Sequence, residues 1–152
     1  MDNEKAHDRH ELIAFKVGDQ EFCVDIMNVR EIRGWTATTP IPHAPPYVVG
    51  VINLRGTVLP VLDLAGRLGK DAVTPSHRHA IIVVQDEGRM TGLLVEAVSD
   101  IVTVGDEMIH PTPEVSDNDG SMFITGIVTL EGRMISLLSL AAVLPARQIK
   151  AA

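Results

Sequence analysis

The chain has 152 residues, enough for one compact unit or two very small ones. It carries 13 basic against 20 acidic residues, a formal charge of −7, which argues against the basic surface that a nucleic-acid binder needs. Hydrophobic residues make up 45% and aromatics only 3%, so an ordered core is expected, built mainly from Val, Ile and Leu. A single cysteine, Cys23, excludes an internal disulfide. No apolar run approaches the ~18–20 residues of a membrane span, and the polar, mixed-charge stretch from Met1 to Glu11 is unlike a secretory signal. A soluble cytoplasmic protein is the expectation.

Met1 to His10 reads as a flexible tail. Leu12 to Val17 alternates Ile13, Phe15 and Val17 on one face, Gly18-Asp19 turns, and Glu21 to Val24 returns as a hairpin. Asp25 suits the cap of a short helical turn over Ile26 to Ile32. Four prolines between Thr39 and Pro46 predict an extended connector. Val48 to Leu54 and Thr57 to Leu62 predict a second hairpin around Arg55-Gly56, with a helical turn over Leu64 to Leu68 stopped by Gly69. After a linker, Asp71 to His77, the apolar run Ala80 to Val84 predicts a central strand. Glu87-Gly88 turns it into Met90 to Val95, and Ile101 to Val104 predicts a further strand. Gly105 to Ser121 is polar and carries Pro111 and Pro113, so a long loop is expected. Phe123 to Leu130 and Met134 to Leu138 predict a last hairpin, before a short helix over Leu140 to Leu144. Many short strands without a long amphipathic helix predict β-barrels or a sandwich.

An internal repeat bears on the architecture. Gly50 to Leu68 lies over Gly126 to Leu144 with seven of 19 positions identical, at an offset of 76. Ile26 to Ile32 resembles Val95 to Ile101 at an offset of 69. This predicts two similar small β units of roughly 65 residues each, about 12–78 and 79–145, sharing a core. Features present in one copy only are candidates for a specific role. Asn53, Arg55, Pro60 and Asp63 face Thr129, Glu131, Ser136 and Ser139. Arg55 at a hairpin tip is the sharpest of these, and it reads either as a recognition residue or as a solvated turn residue.

Catalytic patterns are sparse. His77 and His79 form an H-x-H pair without an evident third ligand, so a solvated linker competes with a metal-dependent hydrolase. Cys23, inside an apolar strand, reads as a small core residue. No nucleophile elbow, phosphate-binding glycine loop or dinucleotide fingerprint is present. A binding module without cofactor is the favoured class.

The segment PPYVVGVINLRGTVLPVLDLAGRLG, Pro45 to Gly69, resembles the central signature of the CheW chemotaxis coupling family. FCVDIMNVREIRGW (Phe22 to Trp35), GLLVEAVSDIVTV (Gly92 to Val104), HPTPE (His110 to Glu114) and FITGIVTLEGRMISLLSL (Phe123 to Leu140) are similar to further family segments, in the family's order. The resemblance runs from about Leu12 to Leu144. It implies two five-stranded barrels, SH3-like or OB-like, packed around a shared core with some exchange of segments, and short helices. It also implies a non-catalytic adaptor that bridges chemoreceptor hairpin tips to the histidine kinase CheA in membrane-associated arrays. The same chemistry could serve a related motility or biofilm pathway.

Carried over by motif, Val29, Glu31, Gly50, Asn53, Arg55, Gly56 and Ile101 would lie on or support the receptor-facing surface. That surface would be a groove near the junction of the barrels. Arg55 would supply planar donors to carboxylate or carbonyl groups. His110 and Val115 would belong to the kinase contact. His110 stands where related proteins can carry Arg, and Val115 where they can carry a bulkier apolar residue.

Overall fold

The computed structural model describes residues 9–112 and 123–145. The tail expected over Met1 to His10 gives way already at Arg9, because Arg9 and His10 find a ladder opposite Gly105 and Val104; residues 1–8 lie outside the described residues. Strand β1 (Arg9–Val17) turns through Gly18, at φ +62°, into β2 (Gln20–Asp25). Asp25 caps the next turn, its carboxylate accepting from the Met27 amide at 2.8 Å. That turn is a single 3₁₀ unit, Ile26–Asn28, and Val29–Gly34 is strand β3. The helix expected over Ile26 to Ile32 is therefore confined to its first three residues. Seven residues cannot repay helix nucleation by themselves, while Val29 to Gly34 finds a ladder along a neighbouring strand.

Hairpin β4 (Val48–Leu54) and β5 (Thr57–Asp63) leads into the helical turn Leu64–Arg67. A second hairpin, β6 (Ala80–Asp86) and β7 (Arg89–Val95), is followed by β8 (Ala97–Gly105). The loop expected from Gly105 instead opens with a 3₁₀ turn, Asp106–Met108, and a short strand β9 (Ile109–Pro111). Strand β9 lies at a sheet edge, where a proline that cannot donate is tolerated. Hairpin β10 (Ile124–Leu130) and β11 (Arg133–Leu138) and the helical turn Leu140–Val143 complete the described chain.

The described strands form two sheets. One has the order β8-β1-β2-β11-β10-β9, the other β3-β6-β7-β5-β4. Strand β6 is interior, between β3 and β7, which explains its unbroken apolar run. Neither sheet follows the chain order, since β1 and β2 join the late strands and β6 and β7 join the early ones.

The two sheets repeat each other in register. Val29 and Glu31 of β3 pair with Val84 and Val83 of β6, with a bulge between them. Val98 and Asp100 of β8 pair with Phe15 and Ala14 of β1, again around a bulge. Ile32 and Ile101 follow in the same way, opposite Ile82 and Ile13. These are the positions related by the offset of 69 in the sequence.

The described residues form three apolar clusters. Leu12, Ala14, Cys23, Val102, Val104, Val128 and Ile135 fill the inside of the six-stranded sheet. Ile52, Leu54, Leu59, Val61, Ile81, Val83 and Leu94 do so for the other. Between the sheets lies a central cluster holding Ile13, Phe15, Phe22, Leu62, Leu64, Ile82, Leu93, Phe123 and Leu140. Strands β1, β2, β6 and β7 are therefore buried on both faces, one toward their own sheet's interior and one toward the partner sheet. Cys23 is fully buried, and desolvation pushes its thiol up to about 12.

Candidate functional site

The tip of hairpin β4–β5 carries the sharpest feature. Arg55 and Gly56 are its two central residues, at φ +50° and +90°. Positive φ at both positions matches a hairpin twist that normally favours Asn or Gly. Asn53 secures it, its carbonyl oxygen accepting from the Gly56 amide at 2.7 Å. The left-handed backbone projects Arg55 outward, and its side chain is 72% exposed.

Arg55 is nonetheless held. Its Nη2 donates to Oε1 of Glu31, whose other oxygen accepts from Arg33 Nη1 at 3.2 Å. Glu31 lies on β3, at one edge of the five-stranded sheet, and Arg55 follows β4 at the other, so the pair bridges the two ends of that sheet. The Arg55 guanidinium holds the Glu31 carboxyl below its usual range, against a smaller opposing effect of burial. Among the described residues only Nη2 of the guanidinium is engaged, which leaves its other donors to solvent or a partner.

The other expected residues separate into supports and a distant partner. Gly50 is buried, and a Cβ there would lie 2.6 Å from the Thr39 carbonyl. It lets the proline-rich connector bridge to Val51, and so supports the hairpin from within. Val29 is half-buried and packs on the central cluster, as does Val98, its counterpart on β8. Ile101 is 58% exposed but belongs to the other sheet, opposite Ile13. Arg55, Glu31, Asn53 and Gly56 therefore form one constellation, and Ile101 lies on a different sheet from it. His110 is exposed on β9, its Nε2 3.0 Å from the Thr129 hydroxyl. Val115 lies outside the described residues. His79 is tied up locally, its Nδ1 3.1 Å from the Ser76 amide.

A second ionic cluster escaped the sequence reading. Arg133 donates to both oxygens of Glu21, at 3.1 and 2.7 Å, and to both of Asp100, at 3.1 and 3.0 Å. Asp100 is the register counterpart of Glu31, so each sheet secures this edge carboxylate with an arginine. The offset of 69 already pairs Glu31 with Asp100, and it was the signal available. The Arg133 hydrogen bonds lower Glu21 and Asp100, while burial opposes them less. Carboxyls lowered in the folded state stabilise it above their ordinary range and lose that contribution as pH falls through their lowered values. The melting temperature should therefore hold from neutrality to about pH 4 and then decline. Thermal melts across pH should show a shallower acid limb for Arg133→Gln.

Exposed apolar side chains also recur in register. Val58 stands opposite Asn53, and Met134 opposite Thr129, with exposures of 64% and 70%.

Taken together, the interlocked sheets, their repeated register and the arginine-held edge carboxylates define a class of small duplicated two-sheet β proteins. The CheW-like domain model matches residues 11–148. "Chemotaxis protein CheW" of Rhizobium meliloti (strain 1021) is 58% identical over 142 residues, covering 93% of this chain and 92% of that protein. "Chemotaxis protein CheW" of Bacillus subtilis (strain 168) is 33% identical, covering 88% and 85%. Among solved structures, the scaffolding protein TtCheW of Thermoanaerobacter tengcongensis superimposes with a TM-score of 0.80 at 32% identity, covering 86% of this chain and 89% of that one. The chain belongs to the CheW-like family of chemotaxis scaffold proteins.

Proposed function

We propose that the chain is a non-catalytic cytoplasmic adaptor that couples chemoreceptors to the histidine kinase CheA and lets receptor state control kinase autophosphorylation. The observation that carries this reading is Arg55, exposed on a turn that Asn53 closes by a hydrogen bond and engaged by Glu31 through one nitrogen. That geometry suits multidentate capture of carboxylate or carbonyl groups on a receptor hairpin. Val29, Glu31, Gly50, Asn53, Gly56 and Ile101 form or support the same receptor-facing surface, and Ile101 supplies apolar contact from the other sheet. His110 and Val115 belong to the kinase contact. Met134, opposite the threonine that bonds His110, adds apolar surface there.

The test is affinity capture of the tagged protein from its own source cells, with arrays kept intact and bound proteins identified by mass spectrometry. A histidine kinase recovered together with chemoreceptors is the expected result, and its partners would show which pathway is served. Absence of both would overturn the adaptor reading.

A further inference from the structure

The helical turn Leu64–Arg67 packs where the two sheets meet, and Arg67 leaves it for the opposite half. Its Nε donates to the Val143 carbonyl at 2.8 Å, and its Nη2 to the Ala142 carbonyl at 3.0 Å. These are carbonyls at the C-terminal end of the helical turn Leu140–Val143, where no intrahelical donor follows. The guanidinium carbon also lies 4.5 Å from the Tyr47 ring centroid and 4.8 Å from that of Phe123. Tyr47 precedes β4, in the five-stranded sheet, and Phe123 precedes β10, in the six-stranded one. Position 143 is the repeat counterpart of position 67, so the arginine grips its own equivalent across the junction.

The apolar cluster between the sheets is large, but apolar contact is non-directional. A planar fork on two carbonyls, flanked by two rings, is directional. The receptor-facing surface proposed above draws Val29 and Glu31 from β3 of one sheet and Ile101 from β8 of the other. The spacing between its two parts therefore depends on how the sheets are seated. We infer that Arg67 is a positioning residue, a clasp that fixes the seating of the two sheets and with it the spacing of the two parts of that surface. The link to receptor binding rests on the adaptor reading, whereas the clasp itself does not.

Two measurements test it. In the first, spin labels are placed on the protein as Val58→Cys and Met134→Cys, two exposed sites on opposite sheets, while Cys23 stays fully buried. Pulsed dipolar distances should be narrowly distributed with Arg67 in place, clearly broadened in Arg67→Met and intermediate in Arg67→Lys. In the second, the unlabelled variants are titrated with a receptor cytoplasmic hairpin fragment and with the kinase's regulatory domain. Arg67→Met should weaken the receptor fragment about tenfold and leave the kinase domain within about twofold, because the His110 contact lies within one sheet. An unchanged distance distribution would overturn the clasp. Equal loss of both affinities in step with the melting temperature would reduce Arg67 to a general stabilising residue. If the wild-type protein bound neither probe, the adaptor reading would fail while the distances still decided the clasp.

Discussion

Arg55→Glu should abolish receptor coupling while leaving the fold intact. The arginine is exposed, and exposed ion pairs contribute little to stability, so the melting temperature should stay near that of the wild type. Recognition is another matter. The substitution removes the guanidinium donors and places a second carboxylate beside Glu31, so an acidic or carbonyl-rich partner meets repulsion instead of capture. Affinity for a receptor hairpin fragment should fall about a hundredfold or more, the scale seen when a charge is reversed at a recognition contact. Kinase binding should be spared, because His110 lies on the other sheet. Calorimetric titration of each partner separates the two. Unchanged receptor affinity would remove Arg55 from the site and leave it a solvated turn residue.

Phe15→Ala should have the largest effect on stability. Phe15 is fully buried in the cluster between the sheets, with its ring centroid 6.2 Å from that of Phe22. All three phenylalanines of the chain are in that cluster, and the alanine variant takes away the ring on which Phe22 stacks. Removing a buried phenylalanine typically costs about 3–5 kcal/mol, out of a total stability of about 5–15 kcal/mol. The melting temperature should drop by roughly 8–15 °C. Phe15→Leu should cost far less, since most of the volume is kept. Denaturant titration measures both. A loss below about 1 kcal/mol for the alanine variant would mean that the sheets do not depend on this packing.

Much of the fold was legible in the chain. The hairpins around Gly18, Arg55-Gly56, Glu87-Gly88 and Glu131-Gly132 carry their turn residues in the sequence, and turn chemistry is local. The two offsets, 69 and 76, marked the positions that the sheets hold in equivalent register. The misread segments are those whose structure is set by a distant strand. Val29 to Gly34 has near-helical apolar spacing, but β6 draws it into a ladder. Ile109 to Pro111 has the composition of a loop, but β10 offers it an edge.

The candidate site divides along the same line. Arg55, Asn53 and Gly56 lie within one turn, and their spacing places them together whatever surrounds them. Glu31 joins Arg55 from 24 residues away only because the sheet brings its two ends together. Arg133 meets Glu21 and Asp100, and Arg67 meets Val143, across 112, 33 and 76 residues of chain. Strand patterning and turns follow from nearest-neighbour sterics and the alternation of apolar side chains, which short stretches of chain encode. Which charged groups face one another depends on strand order and on the seating of two sheets, and those are settled by burial of apolar area summed over the whole molecule.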